Sequence, residues 1–388
     1  MGMPSFNNQL LAIAAIAVAS LSRMELKAGI VTVKVENGMD TGRKHEMVEL
    51  PWPDISSKLP GIATDAVSVK DDQGRDITCQ VVASDGPASP ALLIFQTDFA
   101  PRQARLFKII DQAPAVKAVT LVNAMFYPER KDDFNWENDR MAFRMYGPAL
   151  MRHAGPQSGV DIWCKHVPDL VAVAMYEKEK KGISSYHKDD GRSLDAYSVD
   201  KSMGCGGTAV WQNGKLCQSN NFISSRVLAN GPLRAVFELT YEAWTADNVS
   251  VSETKKISID AGSQLNRFES QFTFSGTDSI AVAAGIVIHP EGKPKLNAEA
   301  GWAAEWEKTD GPDNGMLGLG IVPNIPKMEF CEAAGHILAV AQVKSGEAII
   351  YYAGAGWSKR DFDTPMVWYG YLTDFTNKLL SPLKISWL

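Results

Sequence analysis

Between Glu129 and Arg140 the chain reads Glu-Arg-Lys-Asp-Asp-Phe-Asn-Trp-Glu-Asn-Asp-Arg, so every residue except Phe134 and Trp136 is ionisable or carries an amide. Phe143-Arg144-Met145-Tyr146-Gly147 follows. Side-chain direction in a strand repeats every two residues, which predicts Arg140, Arg144 and Tyr146 on one face. Guanidinium groups spaced in this way suit a carboxylate, because their planar fork donates two parallel hydrogen bonds. Trp136 is expected to lie against the apolar face of a sugar ring, with Glu137 and Asn138 as further substrate-binding groups. The competing reading is a solvated loop whose charges neutralise one another; the interleaved aromatics and amides count against it.

A second group is Tyr186-His187-Lys188-Asp189-Asp190-Gly191, then Leu194-Asp195-Ala196-Tyr197. Histidine titrates nearest neutrality and becomes a general base when a carboxylate orients it, so His187 with Asp190 or Asp195 is the expected pair. In Ser158 to Lys165 the alternation puts Asp161, Trp163 and Lys165 on one face, with the Lys165 ammonium expected to reach solvent. Gly204-Cys205-Gly206-Gly207 allows close approach of backbone to a ligand but lacks the surroundings of a phosphate loop. His289-Pro290-Glu291 ends an apolar run and offers one more acid–base pair.

These groups need a scaffold that the composition permits. The 388 residues can bury a large core, with 45% hydrophobic and 22% charged residues. A net charge of −6 without a basic stripe argues against a nucleic-acid partner. Short alternating runs bounded by Gly and Pro predict many strands: Ile30 to Glu36, Glu46 to Leu50, Ala66 to Lys70, Thr78 to Val82 and Ala91 to Phe95 form an N-terminal β-sandwich. From Val116 onward, Ala118 to Val122, Arg140 to Tyr146, Leu233 to Trp244, Val249 to Asp260, Asn266 to Phe274, Ile280 to Ile288 and Ile337 to Tyr352 predict a broad antiparallel sheet. Leu372 to Leu380 is the clearest helical stretch. The fold class is therefore mainly β, divided into 29–115 and 116–388.

Leu10 to Leu21 has the length of a signal-peptide core and is too short to span a bilayer, although no Lys or Arg precedes it. Residues 1–22 are accordingly expected to direct export to the periplasm or medium, with no stable membrane insertion. The five cysteines show no zinc spacing, and free thiols are favoured over a Cys205–Cys217 bridge. No metal or cofactor motif is present.

The order ERKDDFNWENDRMAFRMYGPAL, SGVDIWCK, YHKDDGRSLDAY, SMGCGG, NGPLR and YYAGAGWSK resembles domain-of-unknown-function family 4861 over about residues 29 to 388. The resemblance implies a galactose mutarotase-like β-supersandwich behind the N-terminal sandwich, exported and acting on fragments of plant or algal polysaccharides. It further implies elimination across C4 and C5 of a terminal uronic acid, by loss of water or release of a sugar. That reaction needs a neutralised carboxylate, a base for the C5 proton and an acid for the C4 oxygen. Arg140 and Arg144 are expected to supply the first, His187 the second, and Tyr186 or Tyr146 the third, with Trp136 and Trp163 as the sugar platform. Alternatives on the same fold are hydrolysis by Glu137 with Asp139 or Glu129 with Asp133, epimerisation by His289 with Glu291, and non-catalytic oligosaccharide binding.

Overall fold

The computed structural model of the chain describes residues 29–86, 88–324 and 328–388; the expected export segment lies outside them. Antiparallel sheets dominate, as the alternating runs require. The first run, Ile30–Glu36, is a strand end to end. It pairs with Ala104–Asp111 on one side and with Lys384–Trp387 on the other, in a five-stranded sheet that ends at Asp76–Ile77. Arg43–Pro51, Pro90–Phe99 and Cys79–Ala83 make a second sheet. Val33, Val35, Val48, Leu50, Phe95 and Phe107 fill the space between the two. The last strand of the chain thus completes the first sheet, outside the unit in which the sequence placed it.

Three further sheets enclose the main core. Ser224–Asn230, Arg234–Thr240, Val249–Asp260, Leu265–Phe274, Ala348–Trp357, Met316–Pro323, Trp302–Lys308 and Lys293–Asn297 follow one another across a nine-stranded sheet, with Trp244–Ala246 paired beside Val249–Asp260. Cys205–Gln212, Ile280–Val287 and His336–Val343 form the centre of a five-stranded sheet. The third sheet runs Val122–Tyr127, Asp133–Asn138, Met141–Met145, Asp161–Lys165 and Ser193–Asp195. Phe134, Trp136, Phe143, Phe237, Phe268 and Ile286 belong to one buried cluster shared by all three. Where Ile337 to Tyr352 promised one strand there are two, His336–Val343 and Ala348–Trp357, because Gly346 takes a positive φ of 86° and turns the chain. All five cysteines are free thiols.

Among the described residues there are four α-helices: α1 (Trp52–Lys58), α2 (Pro148–Ala154), α3 (Ala172–Lys180) and α4 (Pro365–Leu380). The α4 helix extends the expected Leu372 to Leu380 by two turns toward its N-terminus, where Thr364 caps it and Pro365 occupies the first turn. Trp368 and Leu372 seat it on Gly318 and Gly320, and a Cβ on either glycine would collide with those side chains. Trp368 Nε1 also donates to the Leu319 carbonyl at 2.9 Å. Among the described residues no helix is long and apolar enough to cross a membrane.

Candidate functional site

The sheet that carries Glu129 to Tyr146 has two opposite faces. Phe134, Trp136, Phe143, Ile162 and Leu194 point into the main core. The alternate positions Asp133, Asn135, Glu137, Arg144, Asp161, Lys165, Ser193 and Asp195 are polar and equally buried, with α3 and Tyr186 packed alongside. Period-two alternation thus places charge where a second apolar face is usual.

Arg144 is the centre of this face. Its Nη2 donates to Asp161 at 2.5 Å and to Asp195 at 2.8 Å, and Nη1 stands 3.9 Å from Asp133. The register Arg144↔Asp161 across neighbouring strands sets up the first pair. The guanidinium lies over the rings of Tyr146, Trp163 and Tyr186, 4.9–5.2 Å from their centroids. Burial works against its charge, but Asp161, Tyr146 and Asp195 lift its pKa well above the ordinary value. Burial also raises the carboxyls: Asp133 to about 6 against the pull of Arg144 and Arg130, and Asp161 and Asp195 upward as well. Nη2 of Arg144 is therefore taken by protein carboxylates, while Nε and Nη1 are buried without hydrogen-bond partners, so the expected fork does not open toward solvent. Arg140 lies outside the strand and pairs instead with Asp139 at 3.2 Å and Asp361 at 3.5 Å.

Several other expected roles are revised by burial. Trp136 is fully buried, stacks on Phe143 and donates to Asn266 at 2.8 Å, so it offers no platform. Trp163 is buried too, stacked on Tyr186 at 5.1 Å with its Nε1 on Asp161 at 3.3 Å. Lys165 does not reach solvent; its ammonium bonds Glu137 at 2.8 Å and the Asn138 carbonyl at 2.5 Å. Glu137 in turn accepts from the backbone N–H groups of Val171 and Ala172, tying down the start of α3. Asn138 bonds the carbonyls of Asp260 and Ser263. Glu137 with Asp139 is thus no hydrolytic pair, and Glu129 is exposed while Asp133 is buried. The close approach allowed by Gly204, whose φ is 57°, is to Val160 of its own chain, through a backbone bridge.

His187 does meet Asp195, with Nδ1 3.4 Å from the carboxylate and 3.3 Å from the main-chain carbonyl. Asp190 is elsewhere, on Lys178 and on the N–H groups of Arg192 and Ser193. The Tyr186 hydroxyl accepts from Arg130 at 2.9 Å, and half-buried Tyr146 adjoins Arg144.

An open cavity of about 430 Å³ begins immediately after Asp195, where Ala196, Tyr197 and Ser198 form one wall. His289, Glu307, Lys308 and Asp310 form the other. His289 Nδ1 is 2.8 Å from Glu307, and Nε2 is 2.9 Å from the Ser198 carbonyl. Both partners only accept, so both nitrogens carry hydrogen and the ring is an imidazolium. The Glu307 hydrogen bond accordingly raises its pKa to about 8, against the effect of burial. Glu305 shares the Glu307 face of the strand Trp302–Lys308, fully buried beneath the turn at Gly292. Burial, and then Glu307, push its carboxyl to about 8, so it holds its proton at neutral pH. Tyr197 meets His289 edge-on at 5.4 Å. Glu291, the expected partner of His289, is exposed at the rim.

Sequence reasoning passed over Glu305, Glu307 and Ser198, and it quoted Tyr197 without giving it a role. Only the i, i+2 spacing of the two glutamates within an otherwise apolar strand pointed to them. Among the described residues no cluster of three or more His, Cys, Asp or Glu side chains could hold a metal ion. A cavity of this size, with a titrating histidine braced by a carboxylate, can bind a sugar and move a proton on it.

Residues 35–385 match the model of the family described as a domain of unknown function, DUF4861. The chain is 31% identical over 393 residues to the uncharacterized protein P7 of Formosa agariphila, covering 96% of this chain and 97% of that protein. Among solved structures it is similar to a protein in glycosyl hydrolase family 38 from Enterococcus faecalis, with a TM-score of 0.51 and 12% identity. The similarity covers 93% of this chain and 47% of that one, and it is a likeness of fold.

Proposed function

The chain belongs to the DUF4861 family, and from that premise we propose that it is an exported carbohydrate-active enzyme that eliminates across C4 and C5 of a terminal uronic acid in an oligosaccharide. The observation that carries the proposal is His289, braced by Glu307 on the wall of an open cavity with its pKa near 8. A fold shared with a glycosyl hydrolase family 38 protein is consistent with a sugar substrate. The apolar run Leu10 to Leu21 supports export.

In the proposed reaction the uronate carboxylate lies toward Lys308, the cation on the cavity wall. The reacting form is the ring that has lost its Nε2 proton to solvent, favoured as pH rises past about 8; it keeps Nδ1–H on Glu307 and turns Nε2 from the Ser198 carbonyl to the sugar. Nε2 takes the C5 proton, and the C5 electron pair forms the C4–C5 double bond as the C4–O bond breaks. The imidazolium returns the proton to the departing oxygen. Water or a free sugar leaves, together with a 4,5-unsaturated uronate. One residue thus serves as base and then acid, with Glu307 holding the ring in one tautomer.

Incubation with a panel of uronic-acid oligosaccharides tests this directly. The expected products absorb in the ultraviolet and show loss of water or cleavage without water uptake, and His289→Ala abolishes both signals. Absence of the chromophore with every uronate, or full activity in His289→Ala, sinks the assignment. The same His289–Glu307 pair also suits a galactose mutarotase-like ring opening, which changes neither mass nor absorbance.

A further inference from the structure

A second cavity, of about 770 Å³, lies between the sheet of Arg43–Pro51 and the nine-stranded sheet, with the end of α4 along one side. It shares no lining residue with the His289 cavity. Its lining is charged, but the charges cancel. Lys44, Arg234, Lys256, Arg267 and Lys378 supply five cations; Glu46, Glu49, Asp260, Glu269 and Asp374 supply five anions. Most are held in mutual pairs. Arg234 joins Asp260 at 2.5 Å and Glu49 at 2.6 Å, Arg267 joins Glu269 at 2.9 Å, and Lys378 joins Asp374 at 2.7 Å.

A lining of this kind exerts little net pull on an ion. It presents fixed N–H donors beside fixed carboxylate acceptors, the complement of hydroxyl groups that both donate and accept. Tyr352, edge-on to Phe375 at 5.1 Å, adds an aromatic wall against which the C–H face of a sugar ring can pack.

The backbone at the cavity is also unusual. The ladder between Arg43–Pro51 and Pro90–Phe99 slips between Arg43 and Glu46, and His45 at the slip has a φ of 48°. Bulges and left-handed non-glycine residues are local irregularities that concentrate at functional sites. This one sets His45 over Gly262 at the lip of the cavity.

We propose that this cleft is a second carbohydrate-binding site, which holds a neutral stretch of an oligosaccharide chain away from the His289 cavity. The choice of a sugar chain rests on the proposed function, whereas the charge balance and the bulge stand without it.

The test titrates the full chain with the neutral hexamers cellohexaose and xylohexaose and, separately, with a hexameric oligogalacturonate. Calorimetry reads affinity, and hydrogen exchange in Arg43–Pro51 and Leu265–Phe274 reads location. The expected result is saturable, salt-insensitive binding of a neutral hexamer, weakened about tenfold by Tyr352→Ala and by Arg267→Ala and unchanged in His289→Ala. Arg267 is half-buried and its partner Glu269 is 38% exposed, so its variant still reports if Tyr352→Ala fails to fold. Failure of both neutral hexamers to bind overturns the proposal. So does binding that His289→Ala removes and Arg267→Ala leaves untouched, or salt-sensitive binding of the anionic hexamer alone. Binding at this cleft by a protein that eliminates from no uronate leaves the inference standing and removes the proposed activity.

Discussion

At the scale of single residues, His289 is governed by one partner. Because the Glu307 hydrogen bond is the largest cause of its raised pKa, kcat/KM for the proposed elimination should fall as pH drops below about 8. Glu307→Gln should move that acid limb down toward 6.5, the ordinary histidine value. An unmoved limb would separate Glu307 from the base. The same ion pair stabilises the fold fully below pH 6.5, and its contribution is lost as pH rises through about 8. Asp133 has the same sign in a lower window. Its folded pKa of about 6 exceeds 3.8, so its contribution is present below 3.8 and is lost as pH rises through 6. Chemical unfolding across that range should find Asp133→Asn gaining on the wild type by something on the order of 3 kcal/mol. Arg144→Ala strands two buried carboxylates and should cost about 3–5 kcal/mol at neutral pH, read as a lowered Tm.

At the scale of elements, period-two alternation is what made the strands legible. It located Ile30–Glu36 and Val249–Asp260 and put Asp161, Trp163 and Lys165 on one face. It could not say which face met solvent, because α3 was hidden from it. That helix has little amphipathic pattern, and its start is fixed by Glu137 from a distant strand. A polar face buried beneath such a helix looks in sequence like an exposed one, so Arg144 and Lys165 were read as available. The His289–Glu307 pair was illegible for a related reason. Its members end different strands and meet only through the packing of two sheets. The α4 helix shows the converse, a contact written in small residues. Gly318→Ala should drive a methyl into the Trp368 ring and cost about 1–3 kcal/mol in denaturant unfolding, with the indole hydrogen bond to Leu319 lost first.

At the scale of the whole molecule, composition and strand spacing were enough for a mainly β architecture of several antiparallel sheets, but not for its closure. The strand Lys384–Trp387 returns to Ile30–Glu36, and Leu383 and Trp387 pack on the N-terminal apolar cluster. No local signal marks that pairing, because its partners stand at opposite ends of the described chain. Removing residues 382–388 should loosen the first sheet by about 2 kcal/mol. Amide exchange should rise across Ile30–Glu36 and Ala104–Asp111, while the His289 cavity keeps its protection. Equal loosening in both regions would show that the two are one cooperative unit.

That returning strand also imposes an order on synthesis. A ribosome makes Ile30–Glu36 about 350 residues before Lys384–Trp387, so the first sheet lacks an edge until that late strand has been made. Until then Val33 and Val35 sit on the edge strand itself, whose outer ladder of N–H and C=O groups is open.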